Sequence, residues 1–223
     1  LLGVLRIGSL KISDGALREG LLYDLLGRLQ HEDARERTVR AMAGRYNVDK
    51  DQSDRVAGMA AAMYEQCAAE WELHGGLEVR MLDWSARLHE IGLDISHDGY
   101  ERHGAYIAEN ADMPGFPRAE QRYLAFLVGS QRHNLWMDQL RKLPKQWRVS
   151  AIRVAVLLRL AVLHNRSRKN EESPALEIQT SENSLRLNFD AKWLEANPLT
   201  VADLEQEQEF LAAVDYELSF DKP

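Results

Sequence analysis

Two groups of residues have the types and spacing to do chemistry. The first is the adjacent pair His89-Glu90 in residues 82–94, LDWSARLHEIGLD. Apolar Leu82, Trp84, Ala86, Leu88 and Ile91 surround the pair, and Gly92 follows at once. Glycine just past a periodic apolar run is the usual helix stop, because it takes the left-handed conformation without a Cβ clash. The spacing therefore predicts an imidazole and a carboxylate side by side in the last turn of a buried helix. A bland reading stands beside it, in which His89 is a core imidazole hydrogen-bonded at a helix end. The second group is a basic block. Residues 141–170 hold nine Lys/Arg and no Asp or Glu, in a chain with 28 basic and 35 acidic residues and a net charge of −7. Such segregation marks either an anion-binding surface or a solvated basic face. No nucleophile constellation accompanies them. Cys67 belongs to an apolar stripe, Ser85 lies four residues before His89 without an oxyanion-hole turn, and no phosphate-binding loop motif is present.

Positioning these groups requires helices, and the pattern supplies them. A helix is expected over 13–29, where Leu17, Leu21, Leu25 and Leu29 recur every fourth residue, and another over 33–46. Asp49 and Gln52 form a D-x-x-Q start for a long helix whose Val56, Met59, Ala60, Met63, Tyr64 and Cys67 read as core. Helices over 99–110 and 118–133 follow, separated by the Met113-Pro114-Gly115-Phe116-Pro117 turn. Residues 147–166 are apolar around nearly the whole circumference, which predicts a central buried helix and leaves Arg159 an unfavourable place for ligand contact. Beyond a linker at 167–174, residues 175–180 and 184–190 alternate like a hairpin. A short turn at Trp193, an acidic helix over 200–214 and a last strand over 216–220 complete the chain. The fold class read from this is mainly α, an HD-like helical domain followed by a small α+β C-terminal domain.

The term HD rests on a resemblance. LHEIG is similar to the L-H-D-I-G motif of the HD superfamily of phosphohydrolases, with Glu90 in place of Asp. In that superfamily the pair binds a metal that activates water, together with an earlier His and a late Asp. Here the earlier position falls among Asp51, Gln52 and Ser53, and the late one on Ala161-Val162. Only His89, Glu90 and His103 remain as ligands, so no metal site is expected. The reading is a scaffold that has lost its metal and kept a phosphate-facing cleft.

A wider resemblance covers the chain. Residues 13–29, SDGALREGLLYDLLGRL, resemble the S-x-G-x-x-R-E-G segment of the exopolyphosphatase/guanosine pentaphosphate phosphohydrolase family. MYEQ at 63–66, LHEIGL at 88–93, ERHGAYIAENADMPGF at 101–116, LLRLAVLHN at 157–165 and DLEQEQEF at 203–210 follow in the same order. The likeness reads as closer to the exopolyphosphatase branch. It implies a remnant of an upstream actin-like domain at 1–12, the HD-like domain at 13–168 and the α+β domain at 169–223. It also implies that the catalytic half and its Mg²⁺ lie outside this chain, so no catalytic residue is nominated here. This half would hold inorganic polyphosphate and form a homodimer. Polyphosphate is charged along its whole length, so a track of cations is needed. Arg132, His133, Lys142, Lys145, Arg148, Arg166, Arg168 and Lys169 are the candidates, with ion pairs to Glu205, Glu207 and Glu209 as the structural alternative.

Composition narrows the rest. The acidic balance argues against nucleic-acid binding, and no apolar run reaches the roughly 20 residues of a membrane span. A single cysteine excludes an intrachain disulfide framework, and a cytoplasmic protein is the default. Two other readings stay open: a free-standing HD metallohydrolase, and a dimerisation module with no ligand.

Overall fold

The computed structural model describes residues 33–168 and 176–221. Asp33 caps α1 (Ala34–Arg45) by accepting from Arg35 N at 3.0 Å, and Arg35 also reaches Glu120 at 2.7 Å. Asp49 opens α2 (Lys50–Cys67) as its spacing predicts, accepting from Gln52 N at 3.0 Å. The buried face of α2 is Val56, Ala57, Ala60, Met63 and Cys67, so the Met and Cys stripe is core. Burial pushes the Cys67 thiol up to about 12, which leaves it inert. Next come α3 (Gly76–Leu88), a single 3₁₀ turn at Ile91–Asp94, α4 (Tyr100–Asn110) and α5 (Arg118–Ser130). A short α6 (Met137–Arg141) and a 3₁₀ turn (Lys145–Trp147) lead into α7 (Arg148–His164). As its all-round apolar pattern predicts, α7 runs through the middle, against α2, α3 and α5.

The C-terminal part is a hairpin, β1 (Glu177–Ser181) and β2 (Ser184–Asn188), then α8 (Ala191–Ala196), α9 (Pro198–Ala212) and β3 (Glu217–Phe220). The sheet order is β1-β2-β3, with β1 antiparallel and β3 parallel to β2. A parallel neighbour cannot follow by a tight turn, and α8 and α9 supply the crossover. This part is continuous with the helical core. Gln66 donates to the Leu176 carbonyl at 3.0 Å and accepts from Ile178 N at 2.9 Å, while Trp71 Nε1 donates to the Ser181 carbonyl at 2.8 Å. The architecture is mainly α with a small C-terminal α+β part, and among the described residues no helix is long and apolar enough to cross a membrane. The expected 13–29 helix lies outside the described residues.

Two local expectations need correction. Gly92 is not the left-handed stop of α3, since among the described residues the glycines with positive φ are Gly99 and Gly115. A Cβ on Gly92 would lie 2.0 Å from the Tyr100 carbonyl oxygen and 2.6 Å from Gly104 N. Glycine is required there because the turn after α3 presses against the backbone of α4. The helix expected to reach 133 ends at Ser130, and His133 takes φ 55°. That early stop swings Gln131, Arg132 and His133 away from the α5 axis.

Candidate functional site

The end of α3, the turn after α5, the C-terminal half of α7 and one face of α9 surround a cavity of about 300 Å³. Its walls include Gln52 from α2, His89 and Glu90, Tyr100, and Gln131 to His133. The opposite side has Arg159 and Val162 on α7, Arg166 and Arg168 just beyond it, and Asp203, Gln206, Glu207 and Phe210 on α9. From the two windows where the HD resemblance expects an earlier His and a late Asp, residues 51–53 and 161–162, Gln52 and Val162 line the same space as His89-Glu90. Neither can supply the missing charge. The Gln52 amide is committed, donating to the Asn165 carbonyl at 2.9 Å and accepting from Arg55 at 2.8 Å.

His89 is 1% exposed, and its Nδ1 donates to the Ala86 carbonyl at 2.7 Å. Burial holds its pKa down to about 4, so it is a neutral imidazole at physiological pH. This is the bland reading of His89, placed in a cavity wall. Its Nε2 lies 3.8 Å from Glu90 Oε1, too far for a hydrogen bond. Burial raises the Glu90 pKa, and the Arg168 guanidinium bonded to Oε1 opposes that shift. Among the described residues no group of three or more His, Cys, Asp or Glu could hold a metal ion. His103 does not line the cavity; His97 does. The donor set does not fit a metal, and no metal-dependent step follows from it.

The cations sort into two kinds. Arg159, set aside in the sequence because its helix is so apolar, is 2% exposed and lines the cavity. It grips Glu207 with Nε–Oε1 at 2.5 Å and Nη2–Oε2 at 2.8 Å, and donates to the Ser130 carbonyl. Breaking such a buried pair would leave a charge unsatisfied, so Arg159 is structural. Arg166 pairs with Asp203 at 2.5 Å, and Arg168 pairs with Asp49 at 3.0 Å and with Glu90, both arginine side chains being about half exposed. The more exposed pairs, Arg166–Asp203 and Arg168–Asp49, contribute only about 0–1 kcal/mol, so a competing anion can displace those two carboxylates cheaply, whereas the bond to buried Glu90 keeps Arg168 at the cavity wall. Among the described residues no carboxylate stands within ion-pair distance of Arg132, whose Cζ lies 5.5 Å from the Tyr100 ring centroid. His133 meets Phe210 edge-on, with centroids 6.2 Å apart.

Four of the eight candidates, Arg132, His133, Arg166 and Arg168, therefore meet in one cavity. Lys142, Lys145 and Arg148 do not. The two lysines are exposed outside the cavity, and Arg148 donates to the Leu143 and Arg141 carbonyls to hold the turn before α7. The remaining candidate, Lys169, lies outside the described residues. Pairing with the acidic helix takes a different form from the one expected: the candidate Arg166 meets Asp203, and Glu207 is taken by Arg159, which is not among the candidates. Sequence reasoning missed Tyr100, Gln131 and Phe210, which carry no charge pattern to betray them.

The fold is thus a mainly α protein with a small C-terminal α+β part, and its cleft is lined by arginines, a neutral histidine and the Glu90 carboxylate. Residues 34–208 match the model of the Ppx/GppA phosphatase family, domain III. The chain belongs to that family. It is 37% identical over 220 residues to the guanosine-5'-triphosphate,3'-diphosphate pyrophosphatase of Vibrio cholerae, covering 97% of this chain and 43% of that protein. The Vibrio parahaemolyticus protein of the same name is 39% identical over 208 residues, 92% of this chain and 41% of its own length. That of Photobacterium profundum is 36% identical over 206 residues, 91% and 40%. The chain thus spans about two-fifths of the length of these relatives. Their names point to the guanosine pentaphosphate side of the family, where the sequence had favoured the exopolyphosphatase branch.

Proposed function

We propose that this chain is the substrate-holding part of a phosphohydrolase acting on guanosine-5'-triphosphate,3'-diphosphate, with its cleft binding the phosphate groups. The observation that carries this reading is the meeting of Arg132, His133, Arg166 and Arg168 in one cavity. Arg132 is the first cation available to an incoming phosphate. Arg166 and Arg168 then exchange Asp203 and Asp49 for phosphate oxygens, a swap of one exposed ion pair for a charge-assisted bond of better geometry. Arg159 stays with Glu207 and holds α9 in place. The relatives' names support the nucleotide as substrate, and the order of family motifs supports hydrolytic residues and Mg²⁺ elsewhere in a longer protein.

Inorganic polyphosphate is the second reading, favoured by the number of arginines in the cleft. Equilibrium titration of the purified chain with each ligand at several salt concentrations separates the two. The nucleotide is expected to bind more tightly. Arg132→Ala combined with Arg166→Ala should weaken binding and flatten its salt dependence, because fewer counterions are exchanged. Wild-type affinity in that double variant would place the phosphate site outside this cleft.

A further inference from the structure

Two hydrogen-bond acceptors in the cavity wall, Glu90 Oε2 and Gln131 Oε1, are buried without a partner. Glu90 is 7% exposed and Gln131 3% exposed. The orientation of the Gln131 amide is not arbitrary. Its Nε2 donates to the His89 carbonyl at 2.5 Å and to the Val128 carbonyl at 3.1 Å. Turning the amide over would set its oxygen against two carbonyl oxygens, so Oε1 is fixed as the acceptor. The Glu90 carboxylate is likewise sided, with Oε1 held by Arg168 and Oε2 left over. Buried polar groups in native proteins are paired as a rule. Two orphaned acceptors on neighbouring stretches of one wall therefore point to a ligand that donates.

A phosphate chain does not meet this need, since its charged oxygens accept and would be repelled by the carboxylate. A nucleoside does, through base N–H groups or ribose hydroxyls. Two rings also border the cavity, Tyr100 beneath Arg132 and Phe210 beneath Arg159 with His133 edge-on to it. We infer that the cavity binds a nucleotide in two parts, its phosphates on Arg132, Arg166 and Arg168 and its nucleoside donors on Glu90 Oε2 and Gln131 Oε1. The inference rests on the phosphate site proposed above and adds the feature that would tell a nucleotide from bare polyphosphate. Arg168 links the two parts. It bridges Asp49 and Glu90, so a phosphate that replaces Asp49 leaves Arg168 holding Glu90 Oε1.

The test compares GTP with inorganic tripolyphosphate, both titrated calorimetrically into the wild-type chain. Tripolyphosphate carries at least as much charge, so a purely electrostatic cleft would prefer it or bind the two alike. Two added hydrogen bonds should instead make GTP tighter by roughly tenfold or more. Glu90→Gln should abolish that preference, read as the ratio of GTP to tripolyphosphate affinity within the variant, because Arg168 holds the amide oxygen and turns the NH₂ group toward the ligand. Gln131→Met, checked for folding by circular dichroism, should act in the same direction. Dideoxy-GTP assigns the donors: affinity equal to GTP places them on the base, and a loss places them on the ribose. Tripolyphosphate binding as tightly as GTP would overturn the inference and leave the phosphate site standing. Binding of neither would remove the phosphate site as well. The wild-type comparison does not depend on either variant folding.

Discussion

Arg159 on α7 and Glu207 on α9 meet through two parallel bonds, with side chains 1% and 8% exposed. The pair ties the C-terminal part to the central helix at the edge of the cleft. Removing one partner, as in Glu207→Ala, should cost about 3–5 kcal/mol in denaturant unfolding, because the other charge stays buried and alone. Replacing both with Met and Leu should cost much less. Equal losses in single and double variants would show that the pair contributes through packing only.

His89 makes stability depend on pH. Its folded pKa, about 4, lies below the unfolded value, so acid favours the unfolded chain. The contribution is fully present above about pH 6.5 and is lost as pH falls toward 4, amounting to roughly 3 kcal/mol. His164, buried against Trp193 with centroids 5.2 Å apart and both ring nitrogens unpaired, acts in the same direction. Glu90 and Glu207, raised by burial, act with the opposite sign. The His89 share is therefore read from the difference between wild type and His89→Gln. The variant's unfolding free energy should fall less between pH 7 and pH 4.5.

Gly92→Ala tests the contact between the turn after α3 and α4. The added methyl meets backbone at Tyr100 and Gly104, which cannot give way as a side-chain tip would. A loss of about 1–3 kcal/mol is expected. Ligand affinity should fall too, since Glu90 and Tyr100 flank the contact. An unchanged melting temperature would mean that the two backbones are not in tight apposition.

Substitutions of Lys142 and Lys145 by Ala should leave phosphate-ligand affinity within about twofold at physiological salt, because both are exposed, neither lines the cavity, and salt screens exposed charges. A loss matching that of Arg132→Ala would extend the binding surface beyond the cavity.

The family resemblance also implies a homodimer. Light scattering at micromolar concentration should give twice the mass of the chain, and a monomer there would remove dimerisation from the proposal.

Much of this was legible because it is local. The Asp49 cap, the buried stripe of α2, the all-round apolarity of α7 and the hairpin at residues 181–184 follow from neighbours within a few positions. The pair His89-Glu90 was also placed correctly at the end of α3. What was not legible is set by distant contacts. Gly92 carries a turn signal whether it serves a left-handed stop or a close approach, and only the position of α4 decides. The basic block showed which residues are charged but not which way they point. Arg166 and Arg168 turn into the cleft, whereas Arg153 points to the Trp71 and Glu182 carbonyls. Arg159 looked misplaced on an apolar helix because its partner stands on α9, 48 residues later.

The parallel placement of β3 beside β2 has a consequence for how the protein is made. Residues 203–210 of the cleft wall belong to the crossover between β2 and β3 and follow every other part of that wall in sequence. Pairings between segments far apart in sequence form slowly, after local helices are in place. On the ribosome, the segments bearing His89, Arg132 and Arg159 would assemble first, into a groove open along one side. Arg159 would then wait as an exposed cation on an otherwise apolar helix until α9 arrives. Arg132, Arg166 and Arg168 all precede α9 in sequence, so the phosphate cations of the cleft would be in place before its last wall closes beside them.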